Sequence, residues 1–485
     1  MRGIISYGTY LPYRRLDRST IAAVAGTGGG QGTRTVASYD EDTTTMGVEA
    51  SRRALRATGT RPGALWFSTV EPAYVDKTNA TAIHAALRLP DDVIAADFGG
   101  AVRSGVAALR AALAGGPPVL VVAADVRTGL PGSADEAAGG DGAAALLVGD
   151  GDDGPVLAEL VGTGTATEEF LDRWRTPGDH RSKQWEDKFG ETRYVPLAVA
   201  AFDAALDDAG IKADRIDHLV VASTHGRAAR SAVKKLGVAG DKVVDDLTAT
   251  VGNPGSAQPS VLLASALDRA EPGQVLVLLS LADGADALVL RTTDAIADFK
   301  PDDTVADQVG GGAPVPYGKF LAWRGMLTPE PPRRPEPGRP SASASARNED
   351  WKYAFVGARD RTSGAVHLPP SRVSMTGGAV DDMEPVPMAD VGGTIATFTV
   401  DRLVYSPSLP VVFAVVDFDG GGRAPMELTD VDPGEVAIGG RVEMTFRRLF
   451  TADGIHNYFW KGRLVRERLS SARSGTPASP RVQEV

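Results

Sequence analysis

From its start to about residue 295, the chain alternates short apolar runs with alanine-rich stretches whose apolar residues recur at helical spacing. The apolar runs predict strands, and the stretches between them, each with a glycine near its end, predict helices. The clearest strands are "GALWFSTV", "PVLVVAADV", "AAALLVGDGD", "IDHLVVAST" and "QVLVLLSLADGADALVLR", and the clearest helices "TTTMGVEASRRALRATG", "RSGVAALRAALAGG", "VPLAVAAFDAALDDAG" and "SAQPSVLLASALDRAEPG". This alternation indicates a layered α/β fold.

The order of elements repeats. In the first half, a helix, a strand, the turn "DFGGAVRSG" and a second helix lead to "VVAADV" and "LLVGD". In the second half, "AAFDAALDDAG", "HLVVAST", the turn "VGNPGSA" and "ASALDRA" lead to "VLVLLSLADG". Two related halves predict an internally duplicated domain over residues 1–327, with its site near the junction of the halves.

The composition changes after residue 327. Residues 328–350, within "TPEPPRRPEPGRPSASASARNED", are rich in proline, serine and charge and predict a linker or an extended arm. Residues 351–465 carry β-branched alternation with turn signals, which predicts a small antiparallel barrel. The tail, residues 466–485, is predicted to be disordered.

Composition narrows the class of protein. Of the 485 residues, 43% are hydrophobic and 23% charged, which is typical of a globular protein without membrane spans. The net charge of −11 is spread along the chain and argues against nucleic acid or an anionic membrane as partner. The chain has no cysteine, and its six histidines lack paired metal-ligand spacing, so no metal is expected. Its N-terminus lacks a signal-peptide pattern, so we expect a cytoplasmic protein.

The stretch "AADFGGAVRSGVAALRAAL" places Val102 at the apex of a tight turn between a strand and a helix. Six further segments belong to the same pattern: "GIISYGTYLPYRRL", "DEDTTTMGVEASRRAL", "GGDGAAALLVGD", "AVKKLGV", "TVGNPGSAQPS" and "LADGADALVL". Together with this stretch, they resemble the archaeal-type hydroxymethylglutaryl-CoA synthases of the thiolase superfamily. The resemblance covers most of residues 1–327. It implies a thiolase-like, five-layered α/β/α/β/α domain that handles coenzyme A thioesters.

The C-terminal part is similar to acyl-CoA-associated OB-fold proteins that usually begin with a zinc ribbon. The similarity rests on "GARDRTSGAVHLPPSRVSMTGG" and "DVDPGEVAIGGRVEMTF". The resemblance places the ribbon's four zinc ligands at Asp360, Ser363, Ser374 and Gly377. None of these is a cysteine, so the ribbon is expected to be degenerate and free of zinc. Relatives of the two parts assemble with a separate thiolase, which the resemblance implies as a partner, together with a homodimer.

At three positions, this chain lacks the catalytic side chain that the resemblance implies. By the resemblance, Val102 stands at the cysteine nucleophile, Thr69 at the acid/base glutamate, and Ala222 at the histidine that polarises a thioester carbonyl. An isopropyl group cannot form an acyl-enzyme, so the family's covalent route is excluded.

Four polar residues are candidates for the vacated site. Glu71 and His225 follow the lost glutamate and histidine by two and three residues; the alternatives are a loop carboxylate and a helix cap. Asn253 matches a family asparagine that helps bind the thioester oxygen, but also suits a turn before proline. Tyr194 matches a pocket-lining segment, or is an ordinary helix residue.

Lys234 and Lys235 match a basic pair near the family's coenzyme A channel, or form a solvated helix face. The function implied is the handling of an acyl-CoA thioester, with carbon–carbon bond formation or cleavage of aldol or retro-aldol type and no covalently bound cofactor. The alternative is a non-catalytic scaffold that recruits a thiolase through the barrel and shields a CoA intermediate. The sequence leaves open whether the chain is an enzyme.

Overall fold

The computed structural model describes residues 1–179 and 181–466, so the predicted disordered tail lies outside the described residues from position 467 onward. In the described part, no helix is both long and apolar enough to cross a membrane. The strands up to residue 327 are β1 (Arg2–Tyr10), β2 (Arg14–Asp17), β3 (Thr33–Val36), β4 (Ala64–Thr69), β5 (Ile94–Gly99), β6 (Val119–Asp125), β7 (Gly142–Asp150), β8 (Ala158–Ala166), β9 (Arg173–Trp174), β10 (Lys183–Gln184), β11 (His218–Ser223), β12 (Val275–Leu281), β13 (Ala285–Thr292) and β14 (Ala313–Pro314).

The helices over the same residues are α1 (Ser19–Ala25), α2 (Thr43–Arg56), α3 (Ala80–Ala86), α4 (Ser104–Ala114), α5 (Ala134–Ala138), α6 (Asp187–Ala209), α7 (Gly226–Val233), α8 (Gln258–Leu267), α9 (Val305–Gly310) and α10 (Tyr317–Trp323). Beyond them lie α11 (Ala342–Arg347), α12 (Glu349–Lys352), β15 (Val356–Asp360), β16 (Val366–His367), β17 (Met383–Pro387), β18 (Gly393–Asp401), β19 (Val411–Phe418), β20 (Arg423–Leu428), β21 (Arg441–Ala452) and β22 (Ile455–Leu464).

The largest sheet has nine strands in the order β11-β12-β13-β8-β1-β7-β6-β4-β5. Its two halves meet where the start of β1 pairs with β8, and Gly3 faces Glu159. A Cβ on Gly3 would lie 2.0 Å from the carbonyl oxygen of Ala158, so only glycine permits this close approach. One half therefore contains β1 and β4 to β7, and the other contains β8 and β11 to β13.

Helices pack on both faces of each half of the sheet, because successive side chains of a strand point to opposite faces. In β6, Val121 packs with α4 and α8, whereas Val122 packs with α2 and α3. In β12, Leu278 joins the same core as α4 and α8, whereas Val277 packs with α6 and α7. The central helices α4 and α8 thus lie between the two half-sheets, and the predicted α/β/α/β/α order is confirmed.

The C-terminal part contains the predicted barrel, which closes in the order β18-β19-β20-β22-β21. A small sheet, β16-β15-β17, precedes it, and α11 and the start of α12 lie in the predicted linker. The boundaries 1–327, 328–350 and 351–465 stay predictions.

The barrel packs on α2 through polar contacts that are buried from water. Arg52 bonds to Glu49 Oε1 at 2.8 Å and to the carbonyl oxygen of Met444 at 3.0 Å. Its guanidinium also lies 4.7 Å above the ring of Trp460, a favourable cation–π arrangement. The backbone N–H of Phe446 donates to Glu49 Oε1 at 3.0 Å. A charged helix face that would suit solvent is therefore covered by the barrel.

Candidate functional site

The turn that carries Val102 lies against a loop from the other half of the domain. β5 ends at Gly99 and α4 begins at Ser104, so Val102 occupies the tight turn between them, where it is partly exposed. A Cβ added to Gly105 would lie 2.3 Å from the carbonyl oxygen of Ser256. The first turn of α4 therefore abuts the loop 253–257, which we call the junction loop.

Thr69 reaches the same loop through a buried carboxylate. Its hydroxyl donates to Asp125 Oδ1 at 3.0 Å, and the N–H of Val70 donates to the same oxygen at 2.8 Å. The N–H of Ser256 donates to Asp125 Oδ2 at 2.6 Å. Burial raises the pKa of Asp125, although Arg127 and these hydrogen bonds oppose the change. Sequence reasoning missed Asp125, because the apolar run "VVAAD" that it ends gives no indication of these distant partners.

Asn253 fixes the junction loop to the strand end that carries Ala222. Asn253 Nδ2 donates to the carbonyl oxygen of Ser223 at 2.7 Å and to Gln258 Oε1 at 2.8 Å. Its Oδ1 accepts the N–H of Gly255 at 2.9 Å. Both amide protons are thus used within the protein, as expected for a turn-forming residue. Through these contacts, the turn that carries Val102, Thr69 and the strand end beside Ala222 are all connected to the junction loop.

His225 caps α7, and both of its ring nitrogens have partners. Nδ1 accepts the N–H of Ala228 at 3.1 Å, so Nε2 carries the proton and donates to the carbonyl oxygen of Asp187 at 3.0 Å. The ring covers Gly190 of α6, where an added Cβ would lie 2.6 Å from it. This close packing fixes the position of the imidazole just beyond the end of the strand that carries Ala222.

Tyr194 lies beside His225, with 5.9 Å between the ring centroids. Its hydroxyl donates to Asp172 Oδ1 at 3.1 Å and accepts the N–H of Asp283 at 3.2 Å. The carbonyl oxygen of Asp283 in turn accepts a hydrogen bond from Nη1 of Arg103, the neighbour of Val102, at 2.7 Å. Burial, with Asp172, raises the pKa of the Tyr194 hydroxyl well above its usual range. The structure therefore brings Tyr194 and His225 together, and Asp283 connects Tyr194 to Arg103 beside the apex.

The remaining candidates lie at the surface. The Glu71 carboxylate is about half exposed and pairs with Arg175 Nη1 at 2.5 Å, while Arg175 also contacts the carbonyl oxygen of Val70. Lys234 and Lys235 are exposed at the end of α7. Glu71 is thus a loop carboxylate in an ion pair, and the two lysines are accessible to an anionic ligand.

The four degenerate ribbon positions converge around Asp360, which is fully buried. Ser363 Oγ donates to Asp360 Oδ2 at 2.5 Å, and the N–H of Gly377 donates to Ser374 Oγ at 3.2 Å. A Cβ on Gly377 would lie 3.1 Å from Asp360 Oδ2. Hydrogen bonds from Ser363 and Ser374 hold the pKa of Asp360 well below its usual range.

These residues do not fit a zinc ion, because the set offers one carboxylate, two hydroxyls and no side chain at Gly377, whereas structural zinc sites use thiolates and imidazoles. Within the described ranges, no group of three or more potential ligands among His, Cys, Asp and Glu is suited to a metal. A hydrogen-bonded carboxylate occupies the centre of the ribbon.

Comparison with known proteins defines the class of this chain. Residues 206–291 match the model of 3-oxoacyl-[acyl-carrier-protein] synthase III, C terminal, and residues 385–447 match the ChsH2 C-terminal OB-fold domain. The structure is similar to FabH from Pseudomonas aeruginosa PAO1 (TM-score 0.53, 21% identity, 60% of this chain and 98% of that one). It is also similar to PksG from Bacillus subtilis (TM-score 0.56, 19% identity, 67% and 89%). The fold is thiolase-like, followed by an OB barrel.

Sequence relatives give the family. The hydroxymethylglutaryl-CoA synthase of Methanothermobacter thermautotrophicus is 30% identical over 348 residues, which are 67% of this chain and 99% of that protein. The synthase of Archaeoglobus fulgidus is 29% identical over 342 residues, 67% and 98% of the two chains. This chain belongs to the hydroxymethylglutaryl-CoA synthase family.

Proposed function

We propose that this chain binds an acyl-CoA thioester at the junction loop without forming an acyl-enzyme. Val102 at the apex carries the proposal, because its side chain has no nucleophilic atom. Solved structures of similar fold include an HMG-CoA synthase complexed with CoA and MvaS in complex with 3-hydroxy-3-methylglutaryl coenzyme A, which supports CoA thioesters as the ligand class. The exposed Lys234 and Lys235 would bind the phosphates.

The hydrogen bonding of the candidates favours holding the thioester over transforming it. Both nitrogens of His225 and all polar atoms of the Asn253 amide are already bonded within the protein. The Glu71 carboxylate is paired with Arg175. In this scaffold role, the chain shields a CoA intermediate while a separate thiolase acts on it.

A second candidate is aldol or retro-aldol chemistry on the bound thioester, and the contact between Tyr194 and His225 favours it. Such a step needs a group that takes or gives the proton of a β-hydroxyl and a donor for the thioester oxygen, but no thiol. Of the two residues, Tyr194 is the one whose hydrogen bonds lead to the apex turn, through Asp283 to Arg103.

Two surfaces support the proposed partners. β5 lies at an open edge of the nine-stranded sheet, and Ile94 on it is 65% exposed, which suits a homodimer formed across this edge. On the barrel, Leu403 is 63% and Phe413 43% exposed, which suits a protein partner such as a thiolase.

Calorimetry and mass spectrometry test the proposal. Full-length protein should bind acetyl-CoA without gaining an acetyl group in its intact mass. Val102→Trp should weaken acetyl-CoA binding about tenfold, because an indole at the apex would occupy the space proposed for the acyl group, and should change CoA binding less. The matched control is Val75→Trp, on a residue that is 89% exposed. A stoichiometric acetyl adduct, or equal acetyl-CoA affinity in both variants, would contradict the proposal.

Turnover separates the two roles. With a β-hydroxyacyl-CoA and the purified thiolase partner, the aldolase role predicts carbonyl product that Tyr194→Phe abolishes while acyl-CoA binding persists. The scaffold role predicts no product dependent on Tyr194.

A further inference from the structure

A cavity of about 470 Å³ lies where the arm between the two domains crosses the molecule. We call it the arm pocket. One wall is the segment 73–79 with α3, the second is formed by α11 and α12, and the third is the start of β22. The arm supplies most of the second wall, so the pocket combines residues of both domains and of the segment between them. It is distinct from the junction loop, and no residue of the vacated site lines it.

The interior of the arm pocket is mainly apolar. Small residues of α3 and the arm leave the space open: Ala82, Ala85, Ala342 and Ala346. Tyr74, Tyr353 and Ile455 add larger apolar surfaces around it. The Tyr74 hydroxyl accepts the N–H of His456 at 2.9 Å, which fixes the first wall to the third. A cavity of this size and lining is suited to a small organic ligand.

Positive charge outweighs negative charge around the arm pocket. Lys77 and Lys352 line it from opposite walls, and Glu349 supplies the one carboxylate among the lining residues. Lys77 Nζ donates to Thr81 Oγ1 at 2.7 Å, and Lys352 Nζ donates to Asn457 Oδ1.

Within the described ranges, neither lysine of the arm pocket lies in a salt bridge. Burial lowers the pKa of Lys352. Both ammonium groups retain donors for an anion that enters between the walls.

We propose that the arm pocket binds an aliphatic carboxylate of medium chain length. Its carboxylate would lie between Lys77 and Lys352, and its alkyl chain would fill the alanine-lined space. A cavity of this volume has room for such a chain. The site is independent of acyl-CoA binding at the junction loop.

Calorimetric titration of the full-length chain with decanoate tests the assignment. Lys77→Met and Lys352→Met should each weaken decanoate binding about tenfold, because a charge-assisted hydrogen bond is lost. Ala346→Trp, on the exposed arm helix, should abolish binding by filling the pocket without disturbing a domain core. Lys212→Met, which removes an exposed lysine elsewhere, should bind decanoate like the unmodified chain.

Two further titrations identify the ligand class. Decanol should bind at least about tenfold more weakly than decanoate, because it lacks the charge. Inorganic phosphate should neither bind with the same lysine dependence nor displace decanoate. If decanoate affinity is unchanged in both lysine variants and in Ala346→Trp, decanoate does not bind in the arm pocket and the proposal is wrong. Phosphate binding that depends on Lys77 and Lys352 would overturn the carboxylate assignment.

Discussion

The side chain of Asn253 holds the junction loop in place within the second half of the α/β domain. Its amide ties the junction loop to Ser223 at the end of β11 and to Gln258 at the start of α8, while Oδ1 closes the turn onto Gly255. The side chain is 8% exposed, so water cannot replace these partners. The residue that the family resemblance assigns to a thioester oxygen therefore has a structural role in this chain.

Replacement of Asn253 by alanine should lower the free energy of unfolding by about 2–3 kcal/mol, because it leaves buried groups of Ser223, Gln258 and Gly255 without partners. Chemical denaturation measures the change. Asn348→Ala is the control, since Asn348 is exposed and its amide makes one hydrogen bond, to Ala344; it should cost much less. Equal losses in the two variants would contradict the structural role of Asn253.

At the scale of single residues, the resemblance assigned Val102, Thr69 and Ala222 from short segments that each lie at or next to the end of a strand, and these assignments stay predictions. Asp125 could not be found in the same way. Its partners come from β4 and from the junction loop, more than fifty residues away on either side, and a single sequence carries no signal for such contacts. The pairing of Tyr194 with Asp172 and His225 was hidden for the same reason.

At the scale of elements, α2 shows what a helical pattern leaves open. Its apolar face predicts a helix packed on a sheet, and the structure confirms this. Its charged face, with Glu49, Arg52 and Arg53, resembles a solvated surface, yet all three residues are buried. The covering strands belong to the barrel and follow α2 by more than three hundred residues, so local patterning could not predict their contact.

Hydrogen bonds centred on Asp360 hold together the segment that the resemblance assigns to a zinc ribbon. Asp360→Asn should destabilise it by about 1–3 kcal/mol, because an amide cannot accept from Ser363 and Ser374 as the carboxylate does. Hydrogen exchange of residues 361–379 measures the loss. Asp382→Asn is the control, on an exposed neighbour. A chelator should leave the unmodified protein unchanged. Equal exchange in both variants would contradict the role of Asp360.

The convergence of the ribbon positions can be tested directly. Substitution of Asp360, Ser363, Ser374 and Gly377 by cysteine restores a pair of C-x-x-C motifs, and the chain should then bind one zinc ion per molecule. Elemental analysis gives the stoichiometry. A double variant at Asp360 and Ser363 alone should bind zinc more weakly. Absence of zinc from the folded fourfold variant would show that these positions do not form the ribbon centre.

The open edge of the sheet is the element on which the proposed dimer depends. Ile94→Asp should shift the chain from dimer to monomer, because a carboxylate would be buried at an apolar interface. Analytical ultracentrifugation measures the mass. Val24→Asp, at a 68% exposed position on α1, should leave the dimer intact. A dimer that survives Ile94→Asp would place the interface elsewhere.

At the scale of the whole molecule, the two domains meet through charges that are buried from water. Arg447 of β21 lies 3.2 Å from Glu41 and 2.8 Å from Asp430, and donates to the Tyr10 hydroxyl at 2.8 Å. Lys461 of β22 lies 2.9 Å from Asp40. A buried charge left without its partner is costly, so the domains are held in one arrangement as long as each pair is complete.

The junction between the domains should depend on pH through Glu41. Burial raises the pKa of its carboxyl from 4.5 to about 7, with Asp430 and Asp40 adding to the rise and Arg447 opposing it. Glu41 also accepts the Tyr10 hydroxyl at 2.5 Å. Between pH 4.5 and 7 the folded chain retains a proton that the unfolded chain loses. The free energy of unfolding should therefore fall as pH rises through this window, by about 3 kcal/mol, and fall no further above it.

Glu41→Gln cannot ionise and should remove this dependence. The substitution itself can add a constant difference in the free energy of unfolding between the variant and the unmodified chain. On top of it, that difference should shift in favour of the variant by about 3 kcal/mol from pH 5 to pH 8, because only the unmodified chain must ionise a buried carboxyl. Chemical denaturation at several pH values gives the difference. Glu271→Gln, at an exposed position, should show a constant difference across the same range. A constant difference for Glu41→Gln as well would mean that Glu41 is ionised in the folded protein throughout, and that Arg447 outweighs burial at the junction.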